Sequence, residues 1–425
     1  MGDFPLRGGV VHCEDVPLPL IARAVGTPVY VYSTATMLRQ ARALKSALAG
    51  LDDPLIAFAV KANPNPAVLA TFAAEGLGAD VVSGGEYRRA RSAGIAPDRI
   101  VFSGVGKTEA EMALALDGGL CQFNLESVPE AEMLSELAAA AGREAAVALR
   151  VNPDVDAGSH AKISTGAAHN KFGVALGDAI AACARIRELP GLRLTGVAVH
   201  IGSQLTRLDP LEAAFERLGG LIRALRAAGH EIRTADLGGG LGLVYDPAAP
   251  PPPTPADYGA MVARATQGWE TRLIFEPGRL LVGDAGVLLT RVIRIKPGPE
   301  LPFVIVDAAM NDLMRPSLYD AWHSAEAVVP NGEHMVADIV GPVCETGDTF
   351  ARARRIDRVG SGELMIIRTA GAYAATMGST YNSRPLTPEV LVNGAEWAVV
   401  RERPADEDLL RGYTAPRWLR PHRVT

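Results

Sequence analysis

The feature that most constrains the fold is a regular alternation of apolar runs and helix-like stretches between about residue 28 and residue 280. Near-continuous apolar strands that alternate with helices indicate a parallel sheet buried on both faces. Eight such units in about 250 residues is the number found in a closed (β/α)8 barrel. We therefore predict an α/β TIM-type barrel, with an open doubly wound sheet as the structural alternative. The predicted strands are 54–61, 78–83, 99–104, 120–127, 145–153, 194–202, 234–240 and 272–278.

The pattern changes after residue 285, where β-branched runs follow one another and Asn393-Gly394 provides a hairpin-turn signal. These runs predict an all-β domain of sandwich or barrel-like form, and the strand-like runs before the first barrel helix are expected to pack with it. The predicted organisation is therefore N-terminal strands over 1–30, a barrel over 31–284 and a C-terminal β domain over 285–425. The C-terminal runs are 286–296, 302–310, 334–341, 362–373 and 389–400, and the N-terminal runs are 8–16 and 27–33.

Composition narrows the class of protein. Apolar residues make up 48% of the 425 residues and charged residues 21%, which is typical of a globular core. A net charge of −6 argues against a nucleic-acid partner, and we find neither an apolar stretch that would span a membrane nor an N-terminal signal sequence. The cysteines are scattered without a CxxC pair, so we expect a reduced, cytoplasmic protein. They are Cys13, Cys121, Cys183 and Cys344.

Polar residues stand at the carboxyl ends of several predicted strands, where barrel enzymes build their active sites. Each has an ordinary structural explanation, such as a strand-capping lysine, a satisfied histidine or a glycine-rich turn. Their convergence on one rim favours a functional site. These residues are Lys61, Asp80, Ser83, Glu86, Arg150, Asn152, His200, Ser203, Gly238, Gly239, Gly240, Glu276 and Arg279.

The combination at the rim suits pyridoxal phosphate. Burial disfavours the ammonium form of Lys61 and makes its amine available as a nucleophile. The glycines of 236–242 let backbone N–H groups approach an anion, at a usual phosphate position in barrels. Glu276 can hold a protonated pyridine nitrogen, which makes the ring an electron sink, and His200 can stack on the ring. The segment 103–108 lacks the first glycine of a P-loop, and no metal-binding spacing occurs.

Several segments resemble, in order, the fold-type III pyridoxal-phosphate-dependent decarboxylases, and 306–323 resembles the diaminopimelate decarboxylases among them. The resemblance runs from about residue 27 to about residue 400. It implies a barrel followed by a β domain, and decarboxylation of meso-2,6-diaminopimelate to L-lysine and CO2. The other matching segments are "FAVKANPNPAVL" (58–69), "GLGADVVSGGE" (76–86), "HIGSQ" (200–204), "DLGGGLG" (236–242), "EPGR" (276–279) and "GPVCETGD" (341–348).

The resemblance also implies a head-to-tail homodimer in which the β domain of each subunit contributes to the active site of the other. Lys61 is implied as the lysine that binds the cofactor covalently. Cys344 is implied as the general acid, with Glu345 beside it, both contributed across the interface. The implied cofactor contacts are Asp80, His200, Ser203, Gly239, Gly240 and Glu276, and the implied substrate contacts are Arg279, Arg315, Tyr319 and Tyr373, with Tyr373 also toward the phosphate.

The chemistry of these residue types agrees with such a substrate, which carries a second amino-acid head at its far end. Arg279 with Arg315 suits the distal carboxylate, and Glu345 suits the distal ammonium. A thiol such as Cys344 is a reasonable proton donor to the α-carbon after CO2 leaves. Free cysteines are more commonly small buried residues, but the Gly and Pro before Cys344 favour a loop beside an acid.

Three other functions stay open. The first is a decarboxylase of another basic amino acid, of the ornithine, arginine or carboxynorspermidine type, although Arg315 with Glu345 favours a distal amino-acid head. The second is an alanine racemase-like enzyme, in which an arginine typically faces the ring nitrogen where Glu276 stands here. The third is a non-catalytic relative that binds a partner protein, which would usually lack Lys61 or Cys344.

Three further segments are interpreted from their position and composition. The stretch 159–174 follows the fifth barrel strand and suits a lid, with His160 and His169 as loop residues rather than catalysts. The proline-rich 247–255 suits a stiff surface spacer. The last 25 residues match no pattern, and a tail packed on the partner subunit is one interpretation.

Overall fold

A computed structural model describes residues 4–156, 165–166 and 170–419 of the chain. His160 and His169, with most of the expected lid, lie outside the described residues, as does the C-terminal segment from residue 420. None of the helices in the described ranges is long and apolar enough to cross a membrane.

The N-terminal region forms a small three-stranded sheet, and its next strand, β4 (Val29–Ser33), belongs to the sheet of the C-terminal region. Apolar side chains of this region, including Val11 and Ile21, pack in one cluster with side chains from near the C-terminus. The elements are β1 (Leu6–Arg7), β2 (Val10–Cys13), β3 (Val16–Pro17), α1 (Leu18–Val25), β4 (Val29–Ser33) and α2 (Thr34–Ala47).

Eight parallel strands close into a barrel, which confirms the predicted fold. The last strand of the barrel pairs with the first, and the fourth pairs with the fifth, so the eight strands form a closed ring and the doubly wound alternative is excluded. A two-residue strand, β10, adds to the side of β9. The strands are β5 (Leu55–Ala59), β6 (Gly78–Val81), β7 (Ile100–Phe102), β8 (Gln122–Leu125), β9 (Ala145–Asn152), β10 (Val174–Ala175), β11 (Leu192–Val199), β12 (Thr234–Asp236) and β13 (Arg272–Phe275).

Helices surround this barrel as a ring in which each packs against the next, and α2 closes the ring between α9 and α3. Polar residues at strand ends start several of these helices, since Asn65, Ser83 and Ser127 each accept a hydrogen bond from a backbone N–H of the first turn. The helices are α3 (Pro66–Ala74), α4 (Gly84–Ser92), α5 (Glu109–Gly118), α6 (Val128–Ala141), α7 (Ala179–Glu188), α8 (Asp209–Ala227), α9 (Pro255–Ala265) and α10 (Arg279–Val282).

The C-terminal region is a mostly antiparallel nine-stranded sheet, as predicted, and it includes β4 between β14 and β20. Asn393-Gly394 forms the expected hairpin between β20 and β21. The sequence did not indicate β16, which is very short, or β18, whose arginines obscure its apolar alternation. The elements are β14 (Gly286–Lys296), β15 (Phe303–Val306), α11 (Arg315–Tyr319), β16 (Ala325–Ala327), β17 (His334–Val340), β18 (Thr349–Asp357), β19 (Leu364–Ile367), β20 (Glu389–Asn393) and β21 (Glu396–Arg401).

Candidate active site

Three adjoining pockets lie at the carboxyl ends of the barrel strands. Ser203 and Tyr373 line each of them, so the pockets are parts of one site. Tyr373 has a φ of +53°, a left-handed conformation that is uncommon outside glycine and concentrates at functional sites. The structure therefore brings most of the predicted site residues together. Those lining the first pocket are Lys61, His200, Ser203, Gly239, Gly240, Glu276, Arg279 and Tyr373.

Lys61 lies in a short turn after β5, and its Nζ is 3.0 Å from Oδ2 of Asp80. Strand pairing explains this contact, because Ala59 of β5 is in register with Asp80 of β6. Burial lowers the pKa of Lys61, but the negative charges of Asp80 and then Glu276 raise it. The pKa of Lys61 therefore lies above the ordinary value of a lysine. The expectation that burial frees the amine is therefore wrong for this arrangement, and Lys61 must lose a proton before it can act as a nucleophile.

Glu276 follows β13 and lies in a buried polar network that the sequence pattern did not predict. Its Oε1 accepts hydrogen bonds from Ser103 Oγ at 3.0 Å and Asn124 Nδ2 at 3.3 Å. Asn124 Nδ2 also donates to Oδ2 of Asp236 at 2.8 Å. Burial and the neighbouring carboxylates Asp236 and Asp80 raise the pKa of Glu276 well above its usual range. A cationic group beside Glu276 would relieve this repulsion.

The nearby Asp236 behaves in the same way, since burial raises its pKa to about 6. The sequence does contain a sign of this polar network. Asn124 and Asp236 are polar residues that interrupt the apolar runs of two predicted barrel strands. The pair Glu276 and Asp236 therefore forms an acidic floor to the site.

His200 follows β11 and is held as a neutral ring. Its Nδ1 accepts a hydrogen bond from the Gly239 backbone N–H at 3.2 Å, which places its own proton on Nε2. Burial, then Arg150, then Lys61 lower the pKa of His200 well below its ordinary value. A neutral imidazole can pack flat against an aromatic ring.

Close packing at the strand ends explains the glycine run without reference to an anion. A Cβ on Gly238 would lie 2.7 Å from His200 Nδ1, and a Cβ on Gly239 would lie 2.2 Å from the Glu276 carbonyl oxygen. Gly238 also has a φ of +65°. The run is therefore required by the fold, and phosphate binding at Gly239 and Gly240 stays a prediction.

Two buried arginines meet at the outer end of the site. Arg279 begins α10 and Arg315 begins α11, and the two residues are 8% and 6% exposed. Neither has a carboxylate within ion-pair distance among the residues that the structure describes. Tyr319 and Tyr373 line the same pocket. Because a buried cation without a counter-charge is costly, this pair indicates a place for an anionic ligand.

Cys344 and Glu345 lie elsewhere, on the exposed loop between β17 and β18. They line none of the three adjoining pockets. The Cys344 N–H donates to Asn382 Oδ1 at 3.3 Å, and Tyr381 Oη donates to Glu345 Oε1 at 2.6 Å. Within one chain, the structure does not bring Cys344 and Glu345 to the other predicted site residues.

The side chains around Lys61 fit pyridoxal phosphate. Asp80 Oδ1 is buried without a hydrogen-bond partner, which leaves an acceptor beside the lysine. The acidic floor at Glu276 suits a protonated ring nitrogen, and neutral His200 offers an apolar face. The donor set therefore agrees with the cofactor expected from the sequence.

Comparison with known proteins gives consistent findings. Residues 34–283 match the family described as "Pyridoxal-dependent decarboxylase, pyridoxal binding domain". The chain is 57% identical to the diaminopimelate decarboxylase of Zymomonas mobilis, over 98% of this chain and 99% of that protein. Among solved structures, diaminopimelate decarboxylase from M. jannaschi is 34% identical with a TM-score of 0.94, over 98% of this chain and 99% of that one. The Helicobacter pylori enzyme in complex with L-lysine is 38% identical with a TM-score of 0.89, over 93% and 98%.

Proposed function

Because the chain belongs to the pyridoxal-dependent decarboxylase family, we propose that it converts meso-2,6-diaminopimelate to L-lysine and CO2, the last step of lysine biosynthesis. The observation that carries the substrate is the buried pair Arg279 and Arg315 without a carboxylate partner among the described residues. A distal carboxylate on the substrate would supply the missing negative charge.

The residues around Lys61 hold and orient the cofactor in this proposal. When bound, pyridoxal phosphate supplies an electron sink for the charge left on the α-carbon by departing CO2. Lys61 would be the point of covalent attachment. Before attachment, the Asp80 carboxylate forms an ion pair with the ammonium group of Lys61. Glu276 would hold the ring nitrogen in its protonated form, and His200 would pack on the ring face.

The phosphate group is assigned to the glycine-rich side of the site. Ser203, Gly239 and Gly240 line the first pocket together with Tyr373, and their hydroxyl and backbone groups suit a phosphate. Arg279, Arg315, Tyr319 and Tyr373 surround the distal end of the substrate.

The proton donor is assigned to a second copy of the chain. Cys344 and Glu345 lie on an exposed loop away from the pocket around Lys61, so a homodimer with shared sites would complete the active centre. Cys344 would protonate the α-carbon from one side, and Glu345 would bind the distal ammonium. The division into 1–30, 31–284 and 285–425 belongs to the same proposal. It is supported by N-terminal residues that pack on the C-terminal sheet, although β4 extends that contribution to Ser33.

A cytoplasmic location is also proposed, in keeping with four cysteines of which none forms a disulfide bond. Burial raises the pKa of Cys183 to about 12, which makes that thiol unreactive. The exposed Cys344 is the thiol available for chemistry.

CO2 release from meso-diaminopimelate by the purified protein with added pyridoxal phosphate tests the function, with L-ornithine and L-arginine in parallel. Release from meso-diaminopimelate alone, with lysine formed, is the expected result. Release only from another amino acid would keep the cofactor chemistry and overturn the roles of Arg279, Arg315 and Glu345. No release from any of the three would contradict decarboxylation itself.

A further inference from the structure

The two arginines at the distal end of the site are held by side chains that carry no negative charge. Tyr245 and His323 are these side chains, and neither was singled out by the sequence. Arg279 Nη1 donates to Tyr245 Oη at 2.6 Å, and Arg315 Nη1 lies 2.7 Å from His323 Nε2. Most buried arginines are instead paired with carboxylates, as Arg150 is with Glu126 in this same barrel.

The hydrogen bonds of His323 fix its protonation state. Its Nδ1 lies 2.8 Å from the Arg368 carbonyl oxygen, which can only accept, so Nδ1 carries a proton. Arg315 is always a donor, so Nε2 must present its lone pair. The imidazole is therefore neutral, and burial together with Arg315 lowers the pKa of His323 to about 3. His323 orients Arg315 without cancelling its charge.

Tyr245 connects both arginines and the histidine. The Arg315 guanidinium carbon is 4.2 Å from the centroid of the Tyr245 ring, a cation–π contact. The edge of the same ring meets His323, with centroids 5.1 Å apart. Because Tyr245 also accepts from Arg279, a single neutral side chain fixes the spacing of two like charges.

We propose that Tyr245 and His323 are positioning residues that hold Arg279 and Arg315 for the distal carboxylate of the substrate while leaving their positive charge uncompensated. A carboxylate at position 323 would orient Arg315 equally well, but it would compete with the substrate for the guanidinium. An apolar side chain there would leave a buried N–H without an acceptor and free the arginine to move. This inference rests on the proposed function, since it assumes an anionic group at the distal end.

Charge substitution at position 323 tests the proposal with the cofactor-loaded protein. His323→Glu is expected to raise KM for meso-diaminopimelate on the order of 10- to 100-fold, because the new carboxylate would pair with Arg315 and repel the carboxylate of the substrate. We expect kcat to change less than about threefold. His323→Gln is expected to recover most of the affinity, since its amide can accept from Arg315 and donate to the Arg368 carbonyl. His334→Glu adds the same charge on the exposed part of β17 and serves as the control.

Binding measurements separate this inference from the proposed function. Dissociation constants are measured for L-lysine, which keeps the distal carboxylate after CO2 has left the other end, and for cadaverine, which has no carboxylate. The inference predicts that His323→Glu and Tyr245→Phe weaken the binding of lysine much more than that of cadaverine, with the absorbance of the bound cofactor unchanged. Equal losses for both ligands, or no loss in His323→Glu, would overturn it. An inactive wild type that still shows this selectivity would contradict the proposed reaction and keep the positioning role.

Discussion

Glu276 shows how the surroundings of one residue prepare a particular chemistry. It is buried, faces Asp236 and receives hydrogen bonds from Ser103 and Asn124 on a single oxygen. These contacts orient the carboxyl group and leave it with a high affinity for a proton, as the raised pKa indicates. The negative potential of Glu276, Asp236 and Asp80 would favour the protonated form of a ring nitrogen placed here, which is the condition for a strong electron sink.

Replacing this carboxyl group by an amide should therefore slow decarboxylation while leaving the site intact. In Glu276→Gln the amide oxygen can still accept from Ser103 and Asn124, but the charge that holds a protonated nitrogen is lost. We expect kcat to fall on the order of 100-fold, comparable to loss of one preorganised electrostatic contact, with the cofactor absorbance band retained. Ser103→Ala, which keeps the carboxyl group, is the control and should lose much less. Unchanged turnover in Glu276→Gln would remove the residue from its proposed role.

Lys61 offers a test of cofactor attachment alone. Lys61→Ala removes the amine that stands beside Asp80, and it should abolish the absorbance band of covalently bound pyridoxal phosphate. Lys45→Ala is a comparison for removal of a lysine, since Lys45 is exposed on α2 and donates to the Glu75 backbone carbonyl. A retained band in Lys61→Ala would show that another group binds the cofactor.

The sequence allowed prediction of the residues that terminate strands and missed those that support them. Lys61, His200 and Glu276 were found because parallel strands present their carboxyl ends on one rim. Asp236 was missed because the predicted strand continued to residue 240, whereas β12 ends at Asp236, and His323 was missed because its role depends on a contact with Arg315 made by folding. The pKa direction of Lys61 was also wrong, because the prediction rested on burial without the carboxylate that β6 places next to the lysine.

At the scale of elements, α2 closes the ring of helices around the barrel, although it precedes the first barrel strand in the sequence. It packs on α9 so closely that a Cβ on Gly259 would lie 2.2 Å from the Ala47 carbonyl oxygen. The sequence predicted the helices and strands from their periodicity, but it did not show which helix would close the ring. That choice depends on backbone contacts between residues more than 200 positions apart.

Gly259→Ala should therefore destabilise the protein although alanine favours helices. The added methyl group would push α9 away from α2, and overpacking of this kind costs about 1–3 kcal/mol. Gly220→Ala is the matched control, because Gly220 lies within α8 and an added Cβ there has its nearest neighbour at 4.0 Å. We expect the control to be neutral or stabilising by up to about 1 kcal/mol. The thermal unfolding midpoints of the two variants measure the difference, and equal midpoints would contradict the close contact between α2 and α9.

At the scale of the whole molecule, Cys344 and Glu345 lie apart from the pockets that Lys61 and Arg315 line. The barrel provides Lys61, the C-terminal region adds Tyr373 to the pocket around it, and the loop between β17 and β18 carries Cys344 and Glu345 in exposed positions. Asp348 shapes this loop by accepting hydrogen bonds from the backbone N–H groups of Met310 and Val343. A loop that is well anchored and faces solvent is suited to reach into a second copy.

Mixing two inactive variants tests this arrangement. In a dimer with shared sites, a subunit with Lys61→Ala and a subunit with Cys344→Ala form one site with both defects and one site with none. Random exchange makes half of the dimers mixed, so recovery of about a quarter of wild-type activity is expected for a twofold dimer. If each chain used its own Cys344, every site in the mixture would keep one defect and no activity would return. Co-purification through a tag on one variant establishes that subunits have exchanged, and absence of recovery under that condition would place the proton donor within the same chain.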